Sequence, residues 1–119
     1  MAENRRRTGS LYEDRAAAYL ESIGYETAAR NYRTRYGEID IISRDGDTLV
    51  FTEVKYRRDS RYGTAAEAVD RRKQMQIRRI AAQYLQKITE DGTGGGTRHI
   101  RFDVVAITGE TLEHIRAAF

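Results

Sequence analysis

The fold of this protein is decided by residues 37–57, whose sequence is GEIDIISRDGDTLVFTEVKYR. Two runs rich in β-branched and aromatic residues lie on either side of Asp45-Gly46, a dipeptide that favours a tight turn. Two such runs around such a turn predict a β-hairpin. Both predicted strands carry acidic residues, so the hairpin is also the first candidate for a catalytic or metal-binding site.

The length of the turn determines which residues of the hairpin face one another. With a two-residue loop, Asp40 is expected opposite Phe51. The same register sets Glu38 opposite Glu53. Since side chains alternate between the two faces of a strand, one face should carry Glu38, Asp40, Leu49, Phe51, Glu53 and Lys55. A loop longer or shorter by one residue would move Asp40 to the other face.

Two helices are predicted from capping patterns that are followed by apolar residues at helical spacing. The first pattern is Ser10 with Glu13, and the second is Thr64 with Glu67. The predicted helices span about residues 10–23 and 65–88.

The remaining segments predict an α/β domain with a central mixed sheet. Residues 26–33 favour an edge strand. Residues 100–107, apolar on both faces except for Arg101 and Asp103, favour a buried central strand. A strand, a crossover helix and another strand indicate a right-handed parallel unit. The glycines of 91–97 predict a flexible loop. We expect disorder over residues 1–8 and a short strand or helix over 112–119.

Length and composition limit the possible functions. A chain of 119 residues supports one core, so a single domain over residues 1–119 is expected. The absence of cysteine excludes disulfides, thiolate nucleophiles and cysteine-ligated zinc, and only two histidines are present. Any catalysis therefore has to come from carboxylates, lysines and bound metal.

No apolar run has the roughly 20 residues of a membrane span, and no signal peptide is evident, so a cytoplasmic location without a membrane partner is expected.

The positive charge is concentrated in one part of the chain. Residues 54–80 contain nine basic and three acidic residues, although the net charge of the whole chain is only +3. Such a segment is typical of a surface that binds a polyanion. The alternative is an ordinary solvated helix surface. The residues predicted to contact nucleic acid are Arg57, Arg71, Arg72 and Lys73.

Asp40, Glu53 and Lys55 are the residues most suited to chemistry. Two neighbouring carboxylates in a poorly hydrated place repel each other unless a proton or a cation intervenes. Lys55 can neutralise one of them, and a divalent ion the other. Ligands that are all oxygen favour Mg²⁺ or Mn²⁺. Taken alone, however, a glutamate two residues before a lysine is commonplace in a strand.

Glu13 and Lys73 each have two possible roles. Glu13 can cap the first helix by reaching back to Ser10, or it can join the metal site, and the two roles are compatible. Lys73 lies on the helical face that contains Val69 and Ile77, so it can reach the carboxylates or a bound phosphate. Alternatively, it extends from the edge of that face into solvent.

The sequence resembles the YraN-type uncharacterised bacterial family over nearly its whole length. The motifs that carry the resemblance are Gly9-x-x-x-Glu13, Tyr19-Leu20, Gly24-Tyr25, Arg30-Asn31-Tyr32-Arg33, Gly37-Glu38-Ile39-Asp40-Ile41-Ile42, Phe51-x-Glu53-Val54-Lys55-x-Arg57, Gly63, Ala68-Val69, Lys73, Ala82-x-Tyr84-Leu85 and Arg101-Phe102-Asp103-Val104-Val105. That family in turn resembles archaeal Holliday-junction resolvases and the PD-(D/E)xK nuclease superfamily. The resemblance implies a restriction-endonuclease-like fold.

The resemblance also implies roles for individual residues. Asp40 and Glu53 would ligate the metal, with the Val54 carbonyl as a further ligand and Glu13 completing the site. Lys55 would orient the attacking water or stabilise negative charge on the phosphoryl oxygens. By the same resemblance, Arg57 and Lys73 would contact phosphate. Ile39 stands where the superfamily name motif has proline.

These features predict a Mg²⁺-dependent or Mn²⁺-dependent endonuclease. Its partner is expected to be nucleic acid, DNA rather than RNA, with branched or damaged structures as candidate substrates. A non-catalytic nucleic-acid-binding module with the same fold is the alternative. A third reading is an interaction protein whose edge strand, near Ala28 to Tyr32, pairs with a partner or forms a homodimer.

Overall fold

A computed structural model describes residues 2–58 and 69–119, with side chains described from Ser10 onward. The elements in chain order are α1 (Ala2–Ser22), β1 (Glu26–Thr34), β2 (Gly37–Asp45), β3 (Thr48–Arg57), α2 (Arg71–Asp91), β4 (His99–Thr108) and β5 (Thr111–Ile115). Neither helix in these ranges is long and apolar enough to cross a membrane.

The five strands form one mixed sheet in the order β1-β2-β3-β4-β5. Neighbouring strands are antiparallel except β3 and β4, which are parallel and are connected through α2. The predicted edge strand, hairpin and parallel unit are therefore confirmed. The α/β fold is confirmed as well, and its arrangement is consistent with a restriction-endonuclease-like fold.

Each face of the sheet buries its own apolar cluster. The cluster under α2 contains Ile39, Ile42, Leu49, Phe51, Val69, Ile77, Ile80, Ala81, Ile88, Phe102 and Val104. The cluster under α1 contains Ala16, Ala17, Leu20, Tyr25, Ile41, Val50, Val105 and Ile107. Alternate residues of β3 and β4 belong to opposite clusters, as the period of a strand requires. The two helices therefore cover opposite faces of the sheet.

The register of the hairpin differs from the predicted one by two residues. Ile42 pairs with Phe51, and Asp45 pairs with Thr48, so the loop is Gly46-Asp47 rather than Asp45-Gly46. The predicted pairs of Asp40 with Phe51 and of Glu38 with Glu53 are therefore wrong. A glycine as the first loop residue suits the positive φ of 62° at Gly46.

Both helices begin elsewhere than predicted. The backbone of α1 is helical from Ala2, where disorder was expected, and residues 2–7 are mostly good helix formers. The Ser10 pattern lies inside α1 and does not start it. In α2 the N-cap is Asp70, whose side chain accepts the Lys73 N–H. The predicted start at Thr64 and Glu67 lies outside the described residues.

Among the described residues, the face under α1 contains one buried carboxylate, Asp103, which is fully satisfied. Arg101 donates two hydrogen bonds to the Asp103 carboxylate, of 2.8 and 3.0 Å, and the Ala117 N–H donates a third. The Nε2 atom of His114 lies 2.7 Å from the same carboxylate. Burial raises the pKa of Asp103, but the hydrogen bonds of His114 and Arg101 outweigh it, so the pKa lies below its usual value.

The substitution Asp103→Asn should lower the free energy of unfolding by about 3 kcal/mol at pH 7, because it removes the buried carboxylate to which Arg101 donates and leaves that half-buried guanidinium with the more distant Asp45, at 3.3 Å, as counter-charge. A carboxylate with a lowered pKa stabilises the fold above its unfolded pKa of about 3.8, and this stabilisation is lost as the pH falls through the folded pKa. The free energies of unfolding of the wild type and of Asp103→Asn, measured with urea, should therefore become equal in acid. The exposed Asp91→Asn is the matched control, and an equally small effect of both substitutions would contradict the assigned network.

Candidate metal centre

The candidate site lies where β2 separates from β3. The ladder between these strands ends at Ile41 and Thr52, and one residue earlier the Asp40 side chain replaces the backbone as acceptor: its Oδ2 atom accepts the Val54 N–H at 2.8 Å. Ile39 packs under α2 whereas Ile41 packs under α1, so regular alternation fails at Asp40. The Asp40 carboxylate therefore lies in the gap between the strands rather than on one flat face.

Helix α1 brings Glu13 to this gap. An ion pair of 2.7 Å between Arg30 and Asp14 ties α1 to β1. The ring of Tyr12 stacks on that of Tyr56 in β3, with 4.1 Å between the centroids. Because Glu13 lies between these two contacts in sequence, its direction is set by packing on both sides. The role of capping the helix at Ser10 does not apply, since α1 begins at Ala2.

Glu13, Glu38 and Asp40 form a cluster of carboxylates that could hold a metal ion. One oxygen from each lies within 4.8 Å of the others. Asn31 connects two of them, since its Nδ2 atom donates to Glu13 at 2.8 Å and to Glu38 at 3.2 Å. Glu38 also forms an ion pair of 2.8 Å with Arg33. The same three residues therefore provide an all-oxygen donor set of the kind that hard divalent ions prefer.

Glu53 approaches the cluster from the α2 side. Its side chain is only 8% exposed, and its Oε1 atom lies 4.0 Å from the Lys55 amine and 3.9 Å from the Lys73 amine. These separations exceed hydrogen-bond length, so the ammonium groups compensate the charge only in part. The Oε2 atom of Glu53 is buried without a hydrogen-bond partner among the described residues.

The carboxylates of the gap are short of counter-charge. Burial raises the pKa of Asp40 to about 8, with the neighbouring charge of Glu53 adding to the rise and the Val54 N–H opposing it. Burial also raises the pKa of Glu53, against the opposing effect of Lys73 and Lys55. The charge of Glu13 raises both pKa values, which shows that carboxylates from both faces share one electrostatic environment.

The structure brings together most of the residues predicted for the site. Glu13 and Asp40 lie in the same cluster. Glu53 and Lys55 lie beside it, although Glu53 is outside the three-carboxylate group. Lys73 reaches the site through Glu53, which was one of its two predicted roles. Of the predicted nucleic-acid contacts, Arg71 and Arg72 are exposed at the start of α2, and Arg57 ends β3.

Sequence reasoning did not include Asn31 and Glu38 among the site residues. Asn31 is a polar residue inside an edge strand, and its φ of 51° is left-handed, a conformation that asparagine tolerates better than most residues. Asparagine is uncommon in strands, and that was the available signal. Glu38 was expected on the face of Asp40, but its meeting with Glu13 depends on where α1 packs.

The fold and the site define a class of protein: a small α/β domain with an acidic cluster and lysines in the gap between the two strands of a hairpin. The chain belongs to the uncharacterised protein family UPF0102, whose family model matches residues 12–107. This is the YraN-type family that the sequence motifs resemble.

The relatives extend over nearly the whole chain. A UPF0102 protein of Syntrophus aciditrophicus (strain SB) is 50% identical over 117 residues, which cover 95% of this chain and 88% of the relative. One of Rhodococcus opacus (strain B4) is 46% identical over 119 residues, covering 93% and 94%. One of Sulfurihydrogenibium sp. (strain YO3AOP1) is 42% identical over 111 residues, covering 93% and 92%.

The substitution Asp40→Asn should stabilise the protein at pH 8 in EDTA. A carboxyl group whose folded pKa is raised from 3.8 to about 8 favours the fold while it is protonated, and this advantage is lost as the pH rises through that range. Asparagine keeps a neutral acceptor for the Val54 N–H. The gain should be on the order of 2 to 5 kcal/mol at pH 8, since one pKa unit corresponds to about 1.4 kcal/mol, and should vanish near pH 4. Urea unfolding measures it, with the exposed Asp47→Asn as control; a variant less stable than wild type at pH 8 would contradict the account.

The substitution Asn31→Gly should weaken Mn²⁺ binding by about tenfold or more, because residues that orient metal ligands typically contribute that much. Glycine adopts the left-handed backbone freely, so the fold should be little affected. Calorimetric titration with Mn²⁺ measures the affinity. Thr27→Ala is the matched control, since it removes another hydrogen bond between β1 and α1, to Glu21 at 3.1 Å. Equal Mn²⁺ affinity in all three proteins would rule out this role of Asn31.

Proposed function

We propose that this protein is a divalent-cation-dependent endonuclease that hydrolyses phosphodiester bonds in DNA. The observation that carries the proposal is the poorly neutralised set of carboxylates around Asp40. This set lies beside Lys55 and Lys73 and next to the basic start of α2. The pKa of Asp40 is raised to about 8, and Glu53 has a buried oxygen without a partner. Buried charges left in this state indicate a site that is completed by a ligand.

The donors present fit Mg²⁺ or Mn²⁺. Glu13 of α1 and Glu38 and Asp40 of β2 would hold the ion, with Glu53 of β3 adjoining them from the α2 side. Such an ion, when bound, polarises a phosphoryl oxygen and makes water more acidic. Ion binding also removes the repulsion between the carboxylates, which accounts for a site that is costly to keep without a ligand.

The other groups act on the phosphodiester and on water. Lys55, 35% exposed and close to Glu53, can orient the attacking water or stabilise charge on the phosphoryl oxygens. Lys73 presents a second ammonium group from α2 to the same place. The water oxygen forms a bond to phosphorus and releases a proton to solvent, the bond from phosphorus to the leaving oxygen breaks, and that oxygen takes up a proton from solvent.

A non-catalytic nucleic-acid-binding module is the second candidate, and one observation favours it. Asn31 already donates to Glu13, and Arg33 is already paired with Glu38, so two of the carboxylates have partners without any ion. In that case the exposed arginines of α2 would bind DNA through phosphate alone. Binding would then weaken steeply with salt and would not depend on Asp40.

The cleavage experiment separates the two candidates. Purified protein with Mg²⁺ or Mn²⁺ is incubated with labelled duplex, single-stranded and four-way-junction DNA. We expect cleavage of at least one of them, lowered by about a hundredfold or more in Asp40→Asn and in Lys55→Gln, as is usual for groups that act in the transition state. Lys87→Gln, an exposed lysine on α2, is the charge-matched control.

If all three DNA forms stay intact with either ion, the endonuclease proposal is wrong. DNA binding that is equal in wild type and Asp40→Asn and falls steeply with salt would then support the binding module.

A further inference from the structure

A groove runs along the first two turns of α2 towards the turn between β1 and β2. Two hollows form it, of about 360 and 290 Å³, and they are contiguous because both are lined by Arg72 and Gln76. We define the α2 groove by the residues that line these hollows: Tyr36, Asp70, Arg72, Lys73, Met75, Gln76 and Arg79.

Lys73 connects one end of the α2 groove with the candidate metal centre. Lys73 lines the 360 Å³ hollow, and its amine lies 3.9 Å from Glu53. Arg79, at the other end, is six residues further along α2, which is about 9 Å along the helix axis. A strand with one phosphate at Lys73 would therefore place its next nucleotide in the groove.

The far end of the groove is built around a planar guanidinium. The Arg79 guanidinium lies over the Tyr36 ring, 4.9 Å from its centroid. Tyr36 itself is held in place, since Arg35 donates to its hydroxyl at 2.7 Å and Gln76 donates to its carbonyl. The Tyr36 ring thus supports the Arg79 guanidinium on one side. Unstacked bases bind on such guanidinium planes and on aromatic rings.

The groove is cationic and also partly apolar. Arg72, Lys73 and Arg79 give it positive charge, and Asp70, the one acidic residue among the described residues that line it, is already engaged as the N-cap of α2. Met75 is 64% exposed, a large apolar surface on a helix face that is otherwise charged. Charge and apolar surface side by side suit a nucleotide, which has an anionic phosphate and a flat base, better than a simple anion.

We propose that the α2 groove binds an unpaired nucleotide next to the scissile phosphate, which makes nucleic acid with a single-stranded segment the substrate class. The inference rests on the proposed function, because the position of Lys73 beside Glu53 is what connects the groove with a phosphodiester. In a duplex the faces of a base are covered by its neighbours, so contact with the Arg79 plane and with Met75 requires a base outside the stack.

The test measures binding without cleavage, by fluorescence anisotropy in EDTA. The probes are a thymidine oligonucleotide, an abasic oligonucleotide of the same length and a blunt duplex. We expect Arg79→Gln and Met75→Ser to weaken binding of the thymidine probe by about tenfold, the size typical of losing one stacked base. The duplex and the abasic probe should change by less than about twofold with Met75→Ser. Arg98→Gln, which changes the exposed residue directly before β4, is the charge-matched control.

The variants and probes make each outcome decisive. Met75→Ser changes an exposed side chain, so thermal unfolding of this variant should show an intact fold. It therefore remains a valid test if Arg79→Gln loosens Tyr36. Equal weakening of all three probes by Arg79→Gln, with no effect of Met75→Ser, would overturn the proposal and leave a phosphate contact only. The proposal would also be overturned if poly-glutamate displaced the thymidine probe as well as the unlabelled thymidine oligonucleotide does, since the groove would then accept acidic peptides. These results do not depend on cleavage, so they are distinguishable from failure of the proposed endonuclease.

Discussion

The hydrogen bond from the Val54 N–H to the Asp40 carboxylate is the interaction on which the candidate site depends. At this point β2 leaves β3, and a side-chain oxygen takes the place of a backbone carbonyl in the ladder. The bond places a carboxylate inside the sheet, where water reaches it poorly. The separation of the strands also gives residues from both faces access to the same gap, so that Glu13 of α1 and Lys73 of α2 act on one electrostatic environment.

Asp103 and Asp40 differ in how well their carboxylates are neutralised. Asp103 is fully buried, but two hydrogen bonds from Arg101, one from Ala117 and the contact with His114 satisfy it, and its pKa is lowered. Asp40 has one backbone donor and several like charges, and its pKa is raised. The first arrangement is complete and stabilises the face under α1. The second is stabilised further by a proton or a cation, which is why we propose the functional site there and not at Asp103.

The sequence predicted most of the fold because the relevant signals are local. Alternating apolar residues and the turn at Asp45 to Asp47 predicted the hairpin, and the apolar run of β4 predicted a buried parallel strand. The register was wrong by two residues because several tight turns fit that stretch, yet an even shift keeps the alternation of the strands. The start of α2 was wrong for a similar reason, since Asp70 and Thr64 are both acceptable N-caps.

The assembly of the site was less predictable, because it depends on packing between distant segments. Asp40, Glu53 and Lys55 could be found from their spacing in one hairpin. Asn31 could not, because its left-handed backbone and its position between Glu13 and Glu38 follow from the way α1 docks on β1. The break in β2 at Asp40 is likewise visible only in the packing of Ile39 and Ile41 on opposite faces.

The most direct measurement is an anomalous difference map from crystals soaked in Mn²⁺ near neutral pH. We expect one strong peak in the gap between β2 and β3, at coordination distance from Asp40 and from Glu13 or Glu38, and no such peak in crystals of Asp40→Asn. Contradiction would come from a map without a peak there, in which the side chains around Asp40 keep the positions described and are satisfied by one another alone.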